Sequence, residues 1–322
     1  MSVHDPRAEA QARLEGGLEA RVLEPSPPAS TDPQWLADDP VRDGGRPGDG
    51  TVAPVPLGAG RTWDQCLAGH PEHAGWAAER WLGARRRLVA PPPAFAATRL
   101  ALHRVAFYAV SPARRRANGK IGLRFTMGGF GTPFYGNDEQ VRIEGDRIVR
   151  QFGREARGES LTTLAAAAAL ALGGPPDLAG AEGFDVPSAG DPDAPLDVDP
   201  AAARLLGDWY GFAWSVLEEM RAEPASAPAG RTQLWPEHFD AAVDLGRDGP
   251  ARATYGASPG DSAVDEPYLY VLPSQPAAAG GGLWNATAFT GAILRLGEFL
   301  DAADQRAAAL AFLRARRDAL AA

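Results

Sequence analysis

The chain has 322 residues, 45% of them hydrophobic, and a formal net charge of −9. That content can build the core of one large domain or two modest ones, and the acidic balance argues against general nucleic-acid binding, which needs surplus Lys and Arg to displace counterions. No run of about 18 apolar residues occurs, the N-terminal segment is charged where a secretory signal needs an apolar stretch, and the single cysteine, Cys66, allows no internal disulfide. A cytoplasmic protein with neither a membrane nor a nucleic-acid partner is therefore expected. Of the 32 basic residues only Lys120 is lysine, which fits a coding bias better than phosphate recognition.

Residues 1–60 are rich in Pro, Gly and Asp and cannot bury enough apolar surface to offset their ordering entropy, so a flexible extension is expected there. Residues 61–322 are read as a single domain. Trp76 and Trp81 lie in a helical stretch that Pro91–Pro93 ends. Phe95, Leu102, Val105 and Ala109 recur at helical spacing, with Ser111 and Pro112 as the expected stop. A basic turn, ARRRANGK, leads to the short strand IGLRFT. EQVRIEGDRIVRQF is the strongest hairpin signal, with Val141, Ile143, Ile148 and Phe152 as apolar positions about a Glu-Gly-Asp turn. LTTLAAAAALAL is helical and is ended by Gly173 and Gly174.

The stretch 173–199 lacks Lys and Arg and reads as an acidic linker between halves 95–172 and 200–322. Asp199 followed by Pro200 is a helix start, and Leu205, Trp209, Phe212, Val216 and Met220 form a stripe that must pack on a sheet. QLWPEHFDAAVDLG, ARATYG, EPYLYVLP and LWNATAFTGAIL supply strands, and a last helix is expected over about residues 298–320. Short turns between strands imply an α+β class with one largely antiparallel sheet drawn from both halves.

If Trp235–Leu245 is a single strand, Trp235, Phe239, Ala241 and Val243 share an apolar face, while His238, Asp240 and Asp244 share the other. His238 and Asp240 would then lie about 7 Å apart, close enough for a carboxylate to orient an imidazole. A polar face meeting water is the plainer alternative. Cys66, His70 and His73 have metal-ligand side chains, but Pro71 interrupts the helix that would align them, and no metal site is assigned. His103 reads as a packed, hydrogen-bonded histidine at the core margin. MGGFGTPFYG lacks the GK[ST] ending of a phosphate loop and does not fit G-x-G-x-x-G, so no cofactor is implied. Arg114, Arg115, Arg116 and Lys120 could hold an anion or simply be solvated.

The segments LHRVAFYAV, NGKIGLRF, QVRIEGDRIVRQ, LLGDWYGFAW, QLWPEHFDAAVDL, SPGD, EPYLYVLP and GAILRLGEFL together resemble a bacterial, largely actinobacterial family of unknown function. The resemblance covers roughly residues 95–320 and implies that the two halves belong together; it carries no activity. The sequence therefore points first to a binding module for a small molecule or a protein partner. Trp235, Phe134, Tyr135, Tyr268 and Tyr270 are the candidate lining. The alternatives are a hydrolase or transferase with His238 as general base, oriented by Asp240 or Glu237, and a structural or interaction protein.

Overall fold

Alternation of apolar and polar residues around a Gly-Asp turn favours a tight hairpin, because glycine adopts the positive φ that such turns need. In the computed structural model, residues 87–322 are described, except 127, 134, 136–138, 153, 154, 182, 185 and 276–281. There, β3 (Glu139–Glu144) and β4 (Arg147–Phe152) pair with Glu144 opposite Arg147, and Gly145 turns at φ 59°. Val141, Ile143 and Ile148 are buried as expected, whereas Phe152 is 57% exposed. It sits at the open end of β4, in a shallow groove with Ala169 and Leu170, where water still reaches the ring.

With β1 (Arg124–Thr126), β2 (Gly129–Gly131) and β5 (Glu155–Ser160), this hairpin forms a five-stranded antiparallel sheet in sequence order. The second half forms another, from β6 (Gln233–Trp235), β7 (Asp240–Leu245), β8 (Ala253–Ser258), β9 (Tyr268–Pro273) and β10 (Ala292–Arg295). The antiparallel α+β class holds, but the single sheet is corrected to two, since strands joined by short connections pair with their chain neighbours first. The two sheets touch edge to edge. Leu123 and Leu234 exchange backbone hydrogen bonds of 2.7 and 2.8 Å, tying the margin of β1 to that of β6.

Helix α1 (Phe95–Val105) does not stop at Ser111 and Pro112. A π turn (Ala106–Val110) carries it into α2 (Ser111–Asn118). Proline has no N–H to return to the carbonyl four residues back, so the Tyr108 carbonyl accepts instead from the Asp177 amide at 3.0 Å. The expected basic turn is thus the last part of a helix. Arg114 is buried and donates to the Gly122 carbonyl, and Arg115 pairs with Asp177 at 2.5 Å, so these donors are already engaged. Helix α3 (Leu164–Leu172) starts on the Thr163 hydroxyl and ends at left-handed Gly173.

The segment 173–199 is tied down at several points. The Tyr108 hydroxyl donates to the Pro187 carbonyl at 2.9 Å, and the Asp199 amide donates to Thr98 Oγ1 at 3.0 Å. Asp199 caps α4 (Pro200–Ala222), accepting from the Ala202 amide at 2.8 Å. The expected stripe is buried, and so are Leu206, Tyr210, Ala213 and Leu217 around the helix. Apolar side chains cover most of the helix, leaving Arg204 exposed and Asp208, Ser215 and Glu219 half-buried, and α4 packs on β1 and β2 of one sheet and on β7 and β8 of the other. After the short α5 (Leu296–Phe299), the last helix, α6 (Gln305–Ala321), begins later than expected because Asp304 is its cap, accepting from Ala307 at 2.9 Å. No helix among the described residues is long and apolar enough to cross a membrane. The expected extension 1–60, Trp76, Trp81, and the Cys66, His70 and His73 set lie outside those residues.

Candidate functional site

LWPEHFD is a hairpin turn, which corrects the single-strand expectation. Trp235 pairs with Asp240 across a loop that runs from Pro236 to Phe239, and the Phe239 amide donates to the Trp235 carbonyl at 2.7 Å. Phe239 has φ 56°, a conformation that costs a bulky residue free energy and persists only when packing enforces it. Its ring is buried, edge-on to Phe130 at 5.1 Å and to Tyr210 at 5.6 Å. The His103 imidazole stacks on it at 4.9 Å and 7°. The Tyr210 hydroxyl, from α4, donates to the Phe239 carbonyl at 2.7 Å and pins the turn from behind.

The reversal also changes which residues share a face. Cross-strand partners point the same way, so Trp235 lies with Gln233, Ala242 and Asp244, and not with Ala241 and Val243 as expected. Trp235 lines a separate small depression beside Arg231 and Arg252. The division along β7 itself holds: Ala241, Val243 and Leu245 are buried in the core, while Asp244 faces out to Arg252 and Thr254.

At the other end of that outward face is a cleft of about 900 Å³. Helix α1 contributes Arg99, Leu100 and His103 to it, the turn contributes Glu237 and His238, and the start of β7 contributes Asp240. Ser258 and Asp261 close one end, and Tyr268, Tyr270 and Phe289 form an aromatic wall. Tyr270 stands 6.3 Å from both Tyr268 and Phe289, ring centre to ring centre. Tyr268, Tyr270, Asp240, Glu237 and His238, all expected as site residues, are therefore brought together. His238 is exposed and lines the cleft beside Glu237 and Asp240. Tyr135 is buried in the first sheet, in a bridge to Glu139, and is not part of the cleft; Phe134 lies outside the described residues.

Asp240 is the chemical centre. It is 6% exposed, its Oδ2 accepts the Tyr270 hydroxyl, and its Oδ1 has no hydrogen-bond partner among the described residues. Burial disfavours its charge and raises its pKa to about 6, against the lowering influence of the Tyr270 bond and of His238. One glycine makes the Tyr270 contact possible. Gly256 on β8 lies between Ala242 and Tyr270 in register, and a β-carbon there would overlap the Tyr270 ring.

The cations of the cleft are largely occupied or discharged. Arg99 donates to the carbonyls of Asp265 at 3.1 Å, Asp261 at 3.3 Å and Pro259 at 3.4 Å. His103 donates through Nε2 to the Pro236 carbonyl at 2.9 Å, and burial depresses its pKa to about 4, so it is neutral near pH 7. Tyr268 donates to Asp261 at 2.5 Å, and burial raises the Tyr268 and Tyr270 pKa values, which keeps both hydroxyls protonated.

His103 is packed and hydrogen-bonded as expected, and it also stands in the cleft wall with Arg99 and Asp261, a role the local sequence does not disclose beyond the spacing of Arg99 and His103, four apart on one helix face. Among the described residues no group of three or more His, Cys, Asp or Glu side chains is placed to hold a metal ion. No family model, curated protein or solved structure matches this chain.

Proposed function

We propose that the protein is a binding module for a small organic molecule, which it holds in the cleft between α1, the 236–239 turn and the ends of β8 and β9. The observation that carries this reading is the buried Asp240 carboxylate, fixed on one side by Tyr270 and unpartnered on the other, in a wall of aromatic rings. A buried polar atom without a partner destabilises the fold, and a ligand that supplies the missing donor offsets that cost. Leu100 and Leu272, 40% and 41% exposed, give the mouth an apolar lip for the rest of such a molecule.

A second reading has one observation in its favour. A carboxyl with a pKa near 6 is suited to moving protons at neutral pH, so Asp240, with Glu237 and His238 nearby, would serve an enzyme as general acid or base. A thermal-shift screen against a metabolite library, run on wild type and on Asp240→Asn, tests the binding reading. A compound that stabilises wild type and not the variant supports it; a library in which every stabilising compound acts equally on both refutes it. Turnover of that compound by wild type, absent in Asp240→Asn, would favour the enzyme.

A further inference from the structure

We infer that the ligand of this cleft carries a protonated amine or guanidinium group, seated against Asp240 Oδ1 and Glu237 Oε2 and facing the Tyr268, Tyr270 and Phe289 rings. This rests on the cleft being the binding site proposed above and adds the chemical class of its occupant. Both carboxylate oxygens are buried, and neither has a hydrogen-bond partner among the described residues. Glu237 in the turn and Asp240 at the start of β7 both line the cleft, and the Glu237 charge acts on Asp240, so the two carboxylates present one negative patch to a donor group.

The aromatic wall adds a second, independent attraction for positive charge. Tyr270 lies 6.3 Å from Tyr268 and 6.3 Å from Phe289, with planes inclined at 54° and 80°, so the rings are not stacked face to face, and a cation in the cleft would lie beside three aromatic side chains that line it. Among the described residues no cation is hydrogen-bonded to those oxygens. Arg99 is held by three backbone carbonyls, and His103 is tied to Pro236. An anionic ligand, by contrast, would meet Asp240, Glu237 and Asp261, with Arg99 and His103 already committed and only the exposed His238 imidazole beside them. The lip of Leu100, Leu272 and Pro187 suits an alkyl or aryl body behind the charged head.

The test is isothermal titration calorimetry at about pH 8, where aliphatic amines are still largely protonated. Hexylamine, phenethylamine and agmatine are compared with hexanol and hexanoate on wild type, Asp240→Asn and Glu237→Gln. The amines are expected to bind and the alcohol and carboxylate not to, with each variant weakening the amines roughly tenfold or more, the scale of one charge-assisted hydrogen bond. Glu237→Gln lies in a turn and keeps the test decisive if Asp240→Asn does not fold. Hexanoate or hexanol binding as well as hexylamine would overturn the charge assignment while leaving the binding reading intact. Binding by none of these amines would overturn the inference, and a metabolite screen that also found nothing would take the binding reading with it.

Discussion

Tyr270 reaches across Gly256 to donate its hydroxyl to Asp240, so a residue of β9 is hydrogen-bonded to one of β7 over the intervening strand β8. The contact exists because β8 offers no side chain at the crossing. Gly256→Ala should displace the Tyr270 ring, break the bond and destabilise the protein by about 1–3 kcal/mol, the usual scale of overpacking. Urea denaturation measures the loss. An alanine variant as stable as wild type, with unaltered ligand binding, would show that the crossing is not needed.

Asp240 gives a pH signature. Its folded pKa of about 6 lies above the ordinary carboxylate value, so the protonated form is favoured by folding. The contribution is fully present below about pH 4 and is lost as pH rises through 6. Asp240→Asn keeps an acceptor for Tyr270 and has no charge to bury. It should therefore be more stable than wild type at pH 8, by on the order of 1–3 kcal/mol, with the advantage fading toward pH 4. Equal stability across that range would mean that Asp240 ionises without hindrance in the fold.

His103 has the opposite sign. Its folded pKa of about 4 lies below the free imidazole value, so its contribution is present above about pH 6.5 and is lost as pH falls through 4. The two slopes oppose one another in the same window, and wild type should look nearly insensitive to pH there. His103→Gln should unmask the Asp240 slope, becoming less stable from pH 4 to 6, while Asp240→Asn unmasks the histidine slope. Guanidinium melts at several pH values test this; parallel profiles for all three proteins would contradict it.

Phe239 joins the turn to the core. Phe239→Ala removes a fully buried ring from contact with His103, Phe130 and Tyr210 and leaves the left-handed backbone in place. A loss of about 3–5 kcal/mol is expected from the cavity alone. Ligand affinity should fall with it, because the ring positions Glu237 and Asp240 on either side. A folded variant that binds as tightly as wild type would remove Phe239 from the site.

What the sequence made legible was local. The Asp199 cap, the α4 stripe and the Glu139–Phe152 hairpin each announce themselves within a few residues, since capping, periodicity and turn chemistry act at short range. The errors came where local pattern is degenerate. Alternation across LWPEHFD reads as a strand, and only the Trp235–Asp240 pairing discloses the turn that reverses the faces. Pro112 is a helix stop by rule, yet a π turn and a distant Asp177 amide accommodate it. The cleft itself joins residues far apart in the chain: Arg99 is held by Pro259, 160 positions away, and no spacing in one sequence encodes that contact.

The chain has six tyrosines, two in the cleft wall and others in the core, which makes them natural reporters. The most direct measurement is a two-dimensional proton–carbon spectrum of protein labelled at the tyrosine rings, titrated with the library compound that stabilises it most. The account expects the Tyr268 and Tyr270 signals to move to saturation while Tyr135, in the first sheet, and Tyr255, against the core, stay still. Saturation with Tyr268 and Tyr270 unmoved would place the ligand elsewhere and contradict the assignment of this cleft.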